Sequence, residues 1–455
     1  MSQFKIISPY SGSLLHTLNF SSLDTILNQL THLNTNYTSN NSISLHKRIK
    51  ILTNLTKILK KNIDNLSLLI STEMGKPISE SKAEINRALI TIQSTITESQ
   101  ALRGEALDST TYGISDQRLG IVNYFPLGIV LCITPFNFPI NLALHKLAPG
   151  FAAGNRLLFK PSPQTYLSAK QLVDYCYEAG MPDHYLQLII PTHEDLPAIV
   201  ARSEIACVSL TGSPQTARAL SKHIGIKKFL CELGGNDPFI VMPDADLDTA
   251  SQIAVTQRFG TAGQRCNSPK RFYIHDSVYT TFKELVIKHT QALVIGDPTH
   301  PETNVGPLVS AKAAETIEAL VLNAIANGAY SCFPIYRDKA LLHPIILENI
   351  QPNSPLITDE IFGPVMVLQS FTDIDAVIQL INASPYGLQA GLFTQDLTLA
   401  KSMYQQLHVG ALNLNNGPSF RADHFPFSGV KDSGIGSEGS RYTIEAMSHR
   451  KLFVI

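Results

Sequence analysis

A cysteine ends the run Phe259-Gly260-Thr261-Ala262-Gly263-Gln264-Arg265-Cys266, and upstream of it a glutamate opens Glu232-Leu233-Gly234-Gly235-Asn236. A thiol nucleophile and a carboxylate base in two separate Gly-rich loops are the least that is needed to form a thioester and then hydrolyse it. Each residue also has an ordinary reading. A lone cysteine is usually a small buried hydrophobe, and a glutamate is usually a helix or turn carboxylate. The Gly234-Gly235 pair argues against a mid-helix glutamate, because consecutive glycines are unfavourable there. Asn137, in Pro135-Phe136-Asn137-Phe138-Pro139, is either a turn residue or a side-chain donor to a developing oxyanion.

Together with Phe159-Lys160-Pro161-Ser162, Leu210-Thr211-Gly212-Ser213 and Glu360-Ile361-Phe362-Gly363-Pro364, these segments resemble, in order, the signature motifs of the aldehyde dehydrogenase superfamily. The resemblance runs from Ser8-Pro9-Tyr10-Ser11-Gly12 to Phe425-Pro426-Phe427-Ser428-Gly429-Val430-Lys431. It implies that Cys266 attacks an aldehyde carbon as thiolate, with the adjoining Arg265 favouring that form. The Asn137 side chain and the Cys266 backbone N–H are then the expected oxyanion donors, each worth roughly 3–4 kcal/mol in a dry site. The resulting thiohemiacetal is oxidised by losing hydride, which no side chain accepts, so a nicotinamide dinucleotide is required. Glu232 would activate water against the thioester as a base tuned toward neutrality. Relatives that release a CoA thioester lack this glutamate, so its presence favours a free acid over the alternatives, a CoA-acylating semialdehyde dehydrogenase or a non-catalytic dinucleotide-binding protein.

The resemblance also assigns a cofactor site. No GxGxxG fingerprint serves here. Thr211-Gly212-Ser213 instead lies between a strand ending at Leu210 and a helix through Ala217 to Leu220, which places Ser213 at a helix N-terminus suited to a pyrophosphate. The superfamily usually has glycine where Ala217 stands, which implies slightly different helix packing. Thr134, Pro135, Phe136, Leu233 and Gly234 complete the implied nucleotide contacts, Glu360 holds the nicotinamide ribose and Phe362 packs beside it. Lys160 resembles the lysine that holds the adenosine ribose. Many NAD-selective members carry glutamate three residues later, where this chain has Pro163, so Lys160 and Ser162 are free to take a 2′-phosphate. The cofactor is read as NAD or NADP.

Arg265, His145 and the run Arg421-Ala422-Asp423-His424 resemble the subgroup that holds lactaldehyde, phosphonoacetaldehyde and non-phosphorylating glyceraldehyde-3-phosphate dehydrogenases. Arginine suits bidentate capture of phosphate, phosphonate or carboxylate. The expected substrate is a small anionic or hydroxylated aldehyde, of lactaldehyde, succinate semialdehyde, phosphonoacetaldehyde or glyceraldehyde 3-phosphate type. In the competing reading Arg421 is an ion-pair partner of Asp423 and His145 a satisfied core histidine. Nothing in the His, Asp and Cys spacing suggests a metal.

The elements that must position these residues follow from pattern. Leu52, Leu55, Leu59, Ile63, Leu66 and Ile70 make a helical stripe ended by Gly75-Lys76-Pro77, and Ile85, Leu89, Ile92 and Ile96 make a second that packs with it. Lys47, Arg48, Lys50, Lys57, Lys60 and Lys61 read as a solvated face. Short apolar runs at 128–133, 156–159, 185–190 and 206–210, separated by helical stretches, indicate a parallel sheet covered on both faces. Strand-like runs at 271–275 and 365–368 continue the alternation. The expected fold is α/β, with a Rossmann-like doubly wound cofactor domain (1–107 and 127–234) and a second α/β catalytic domain (235–436). A small β oligomerisation flap (108–126 and 437–455) completes it. By resemblance, 117–124 and 442–455 form strands that reach a partner subunit, giving a homodimer or homotetramer.

Length and charge agree with this picture. A chain of 455 residues exceeds the roughly 250–300 at which single cores stop growing. A net charge of −1 on 36 basic and 37 acidic residues offers no field for nucleic acid or an anionic membrane. Six dispersed cysteines without a CxxC pair suit reduced thiols, and the N-terminus has no apolar leader, so a cytoplasmic enzyme is expected.

Overall fold

The structure is a computed structural model that describes residues 3–39, 41–113 and 117–455. Positions 1, 2 and 40 of the expected cofactor domain, and 114–116 of the expected flap, lie outside the described residues.

Two sheets of continuous apolar strands carry the molecule. The first has six strands in the order Gly434–Ile435, Lys228–Glu232, Ile205–Thr211, Ile129–Ile133, Arg156–Lys160 and Leu186–Leu188. All pairings except that of Gly434–Ile435 are parallel. From Ile129–Ile133 the chain winds outward through Arg156–Lys160, then returns to the other side through Ile205–Thr211. That reversal opens a crevice beyond the carboxyl ends of the two strands, where ligands of doubly wound sheets bind. Helices cover both faces, consistent with strand Ile129–Ile133 being buried along its whole length.

The second sheet has seven strands, in the order Tyr330–Ser331, Ile345–Glu348, Val365–Phe371, Pro269–His275, Asp237–Val241, Gln389–Phe393 and Ala411–Leu414. Only residues 233–236 separate the last residue of Lys228–Glu232 from the first of Asp237–Val241. The chain therefore crosses between the sheets beside Glu232. Cys266 precedes strand Pro269–His275, which sets it at the amino edge of the second sheet, facing the carboxyl edge of the first.

The stripe read as one helix is two, Leu45–Lys61 and Ile63–Met74, parted at Asn62 (φ −107°, ψ 17°). Apolar spacing continues through the break, so periodicity alone does not reveal it. Arg48 is not on a solvated face: its guanidinium donates to the carbonyls of Ala152 (3.1 Å) and Ile43 (2.5 Å). Helix Ile78–Ala101 carries Glu84, which pairs with the fully buried Lys76 (2.5 Å) and accepts from the N–H groups of Ile140 (2.8 Å) and Asn141 (3.1 Å). This buried pair caps helix Asn141–Ala152, and breaking one partner of such a pair costs about 3–5 kcal/mol.

Strands Glu105–Asp108, Leu119–Pro126 and Ser448–Val454 form a separate antiparallel sheet. Tyr442, expected on a strand, lies instead in helix Ser440–Ala446. Among the described residues no helix is long and apolar enough to cross a membrane.

Candidate active site

The loop before Cys266 is bent by local conformation. Thr261 and Ala262 both adopt φ 52°, a left-handed geometry that costs non-glycine residues energy and persists only where neighbours hold it. Glu80 does so, accepting from the Thr261 N–H (3.1 Å), from the Thr261 hydroxyl and from Arg265 (2.9 Å). Gly263 (φ 72°) follows, and a Cβ there would meet the Gly363 carbonyl oxygen at 2.3 Å. Only glycine lets the two loops touch. Arg258, fully buried, locks them together by donating to the carbonyls of Val365 (2.6 Å), Ile361 (3.1 Å) and Gly363 and to Ser268 (3.0 Å).

Beside this loop lies a cavity of about 270 Å³, lined in part by Phe136, Asn137, Thr211, Ser213, Cys266 and Glu360. Pro135, Gly212, Leu233, Gly234 and Phe362 also border it. The cavity sits at the crevice between the carboxyl ends of Ile129–Ile133 and Ile205–Thr211. Phe136 and Phe362 meet edge to face across it, ring centroids 6.0 Å apart. A Cβ at Gly234 would lie 2.1 Å from Glu360 Oε2, so any side chain there would push the Glu360 carboxylate aside. Glu360 accepts from the Gly235 N–H (3.2 Å).

Several buried polar atoms here have no partner: Thr134 Oγ1, Asn137 Oδ1, Thr211 Oγ1 and Glu232 Oε2. Buried polar groups are normally satisfied, so these sites await a polar ligand. Ser213 is exposed at the start of helix Pro214–Ile224 and accepts from the Thr216 N–H (3.2 Å). Ala217, in place of the usual glycine, packs into the core with Leu210 and Leu220. Burial lowers the Lys160 pKa to about 8, and no charged neighbour opposes the shift. Ser162 accepts from the Gln164 N–H (3.3 Å), starting the turn after Lys160. These features fit a dinucleotide with its pyrophosphate at Ser213 and its adenosine ribose at Lys160.

Asn137 Nδ2 donates to the Gln264 carbonyl (2.9 Å), which ties this side chain to the Cys266 loop and leaves its second hydrogen for a ligand. Burial pushes the Cys266 thiol up to about 12, while Lys270 and Arg421 favour the thiolate and Glu360 and Asp237 oppose it. Arg265, expected to supply that cation, is turned away: it pairs with Glu80 and lies over the Phe138 ring. Adjacency in sequence did not reveal this orientation.

Glu232 ends its strand next to Leu233 and Gly234, but its carboxylate points into a smaller adjoining cavity with Lys146, Cys231 and Glu438. Burial, and next the charge of Glu438, raise its pKa well above the ordinary value, with Lys146 and Arg421 opposing. The charge of Arg421 favours the ionised form of both Cys266 and Glu232.

His145 does not reach the main cavity. It is fully buried, with Nε2 3.1 Å from Asp423 and Nδ1 3.4 Å from Arg421, as the core-histidine reading has it. Its type suggested ligand chemistry, but its position on a helix buried on almost every side decides otherwise. Arg421 donates through Nη2 to Glu438 (2.8 Å), while its buried Nε makes no hydrogen bond and lies 3.9 Å from Asp423. Sequence reasoning missed Glu80, Arg87, Lys146, Arg258, Lys270 and Glu438. None lies in a recognised motif, and only the fold brings Arg87 to Asp423 (2.8 Å) or Lys146 to Glu438 (3.1 Å).

Comparison with known proteins places this arrangement. Residues 1–453 match the Aldehyde dehydrogenase family, and the chain is an oxidoreductase of that family. It is 43% identical over 452 residues to a sulfoacetaldehyde dehydrogenase of Neptuniibacter caesariensis, covering 99% of each chain. It is 36% identical over 416 residues to a 3-sulfolactaldehyde dehydrogenase of Priestia aryabhattai, covering 91% of this chain and 87% of that one. The NADP complex of an NADP-dependent glyceraldehyde-3-phosphate dehydrogenase from Bacillus halodurans C-125 superposes with a TM-score of 0.97 at 31% identity. That match covers 100% of this chain and 96% of the other.

Proposed function

We propose that this enzyme oxidises a small aldehyde with an anionic tail, such as a sulfonate, phosphonate, phosphate or carboxylate, to the free acid, with Cys266 as nucleophile. The observation that carries the reading is the convergence of Cys266 and Asn137 on one cavity, where the buried oxygens of Asn137 and Thr211 have no protein partner. Asn137 and the Cys266 N–H hold the oxyanion as sulfur adds to the carbonyl carbon. What the dinucleotide supplies when bound is a hydride acceptor for the thiohemiacetal carbon. Glu232 then takes a proton from the water that attacks the thioester, its carboxylate swinging from the Glu438 side, and Lys146 and Arg421 stabilise its ionised form. A CoA-releasing reaction has no need of this base.

The anionic tail is read from the arginines and from the relatives. The buried Nε of Arg421 makes no hydrogen bond in the protein and is the donor left for an anion, whereas Arg87 and Arg265 are already held by Asp423 and Glu80. His145 and Asp423 orient Arg421 rather than touch substrate. The sulfonated aldehydes named for the similar enzymes suggest sulfoacetaldehyde as the first substrate to try. A panel of sulfoacetaldehyde, phosphonoacetaldehyde, succinate semialdehyde, lactaldehyde and glyceraldehyde 3-phosphate is the test. Absence of NAD(P)H formation with all five overturns the substrate reading. Arg421→Lys keeps the charge but loses the planar fork, so kcat/KM for the preferred anionic aldehyde should fall about 10- to 100-fold. Propanal, which has no anion, should change little.

NADP is the cofactor favoured by Lys160 with Pro163 in place of an acid. Lys160 loses its proton near pH 8 in the free protein, so a 2′-phosphate finds the full charge only below that pH. Affinity for NADP should be level below pH 8 and weaken up to about tenfold per pH unit above it, while NAD affinity stays flat. Equal pH dependence for both nucleotides in fluorescence titrations would contradict the assignment.

Residues 1–107 with 127–234 are taken as the nucleotide-binding domain and 235–436 as the catalytic domain, although strand Gly434–Ile435 joins the first sheet. The segments 108–126 and 437–455 are taken as the interface of a homodimer or homotetramer. Support comes from the exposed apolar side chains of Leu107, Leu119, Phe125, Leu452, Phe453 and Val454 on their shared sheet.

A further inference from the structure

Lys270 stands one residue into strand Pro269–His275, almost wholly shielded from solvent, and touches neither substrate nor nucleotide in the reading above. Its ammonium donates to the carbonyl oxygens of Cys266 (2.7 Å), Ser268 (3.0 Å) and Arg265 (3.3 Å). Glu360 Oε1 lies 4.0 Å away on the other side. An ammonium has three hydrogens, and here three carbonyls of one tight turn are gathered on it.

We propose that Lys270 is the positioning residue of the nucleophile: it fastens the turn that aims the Cys266 N–H into the cavity and fixes a positive charge behind the sulfur. This rests on the reading of Cys266 as nucleophile. The geometry supports it in two ways. With its carbonyl held from behind, Cys266 keeps its N–H free, donating to no backbone carbonyl of the described residues. The charge cannot be replaced by Arg265, whose guanidinium belongs to Glu80. The groups that face Lys270 are Asp237 and Glu360 on adjoining segments, Arg258 from helix Leu247–Phe259, and Cys266 itself. Those that face the sulfur are Lys270, Glu360, Asp237 and Arg421, of which Lys270 exerts the largest charge effect. Burial opposes the ammonium, so the carbonyls and the two carboxylates must hold it charged. Glu360 thus has two roles: it would bind ribose, and it offsets the cation that favours the thiolate.

The test is the pH dependence of Cys266 alkylation by iodoacetamide, followed by peptide mass spectrometry on the full-length enzyme without nucleotide. Lys270→Gln keeps two donors and removes the charge, so the alkylation midpoint should move to higher pH. At a fixed pH below the midpoint, the rate should fall about tenfold for each pH unit by which the midpoint rises. Lys270→Arg keeps a cation at the same place and should leave the midpoint near that of the wild type. A purely structural lysine would alter amplitude or melting temperature but leave both midpoints in place. A folded Lys270→Gln with the wild-type profile overturns the proposal, and so does a Lys270→Arg midpoint raised as far as that of Lys270→Gln. If Lys270→Gln fails to fold, Lys270→Met, which keeps the stem without the charge, is read in its place against the same two outcomes. Turnover retained by Cys266→Ala would instead overturn the reading of the nucleophile.

Discussion

Cys266→Ala is expected to lose at least about 10⁴-fold in kcat while binding nucleotide as the wild type does. Removing a covalent nucleophile leaves only the binding and oxyanion contributions, and nucleophile deletions in other enzymes reach about 10⁶-fold. Among the described residues no second thiol lines the main cavity: Cys132, Cys176, Cys207 and Cys231 are buried, and Cys332 lies beside Glu348 at the edge strand Tyr330–Ser331 of the second sheet. Steady-state assays combined with a nucleotide titration separate this loss from a folding defect. Residual turnover within about tenfold of wild type would mean that another group attacks the aldehyde.

Glu232→Gln should give a different outcome. The first half of the reaction needs sulfur, oxyanion donors and dinucleotide, all of which the variant keeps. A burst of about one NAD(P)H per subunit should therefore appear, followed by turnover slowed about 10²- to 10⁴-fold, the usual range for loss of a general base. The pH profile carries a second signature. Burial and Glu438 raise the Glu232 pKa, and only the ionised form can accept a proton. Deacylation in the wild type should rise with pH through that elevated pKa and then level off. The rising limb should vanish in Glu232→Gln. A burst absent from the variant would place Glu232 in the acylation half instead.

Motifs made much of this legible without coordinates. Continuous apolar runs gave the parallel strands because both faces of each sheet are covered, and strand Ile129–Ile133 is buried at every residue. The Gly234-Gly235 pair correctly placed Glu232 outside a helix, at the end of strand Lys228–Glu232, because consecutive glycines are unfavourable within one. The directions of long side chains were not legible. Arg265 adjoins the nucleophile in sequence yet turns to Glu80 on a distant helix, and His145 spends its hydrogen bonds on Asp423, far along the chain. Lys270 and Arg258 were invisible for the same reason: their partners are backbone carbonyls, which every residue has, and only the fold gathers them. The Asn62 break was hidden because apolar spacing runs straight through it.

The most direct measurement is rapid acid quench of Glu232→Gln with sulfoacetaldehyde and NADP, followed by peptide mass spectrometry. The account predicts that the peptide containing Cys266 carries the acyl group of the substrate in an amount equal to the NADPH released in the burst. NADPH formed with Cys266 unmodified, or the acyl group found on another residue, would contradict it.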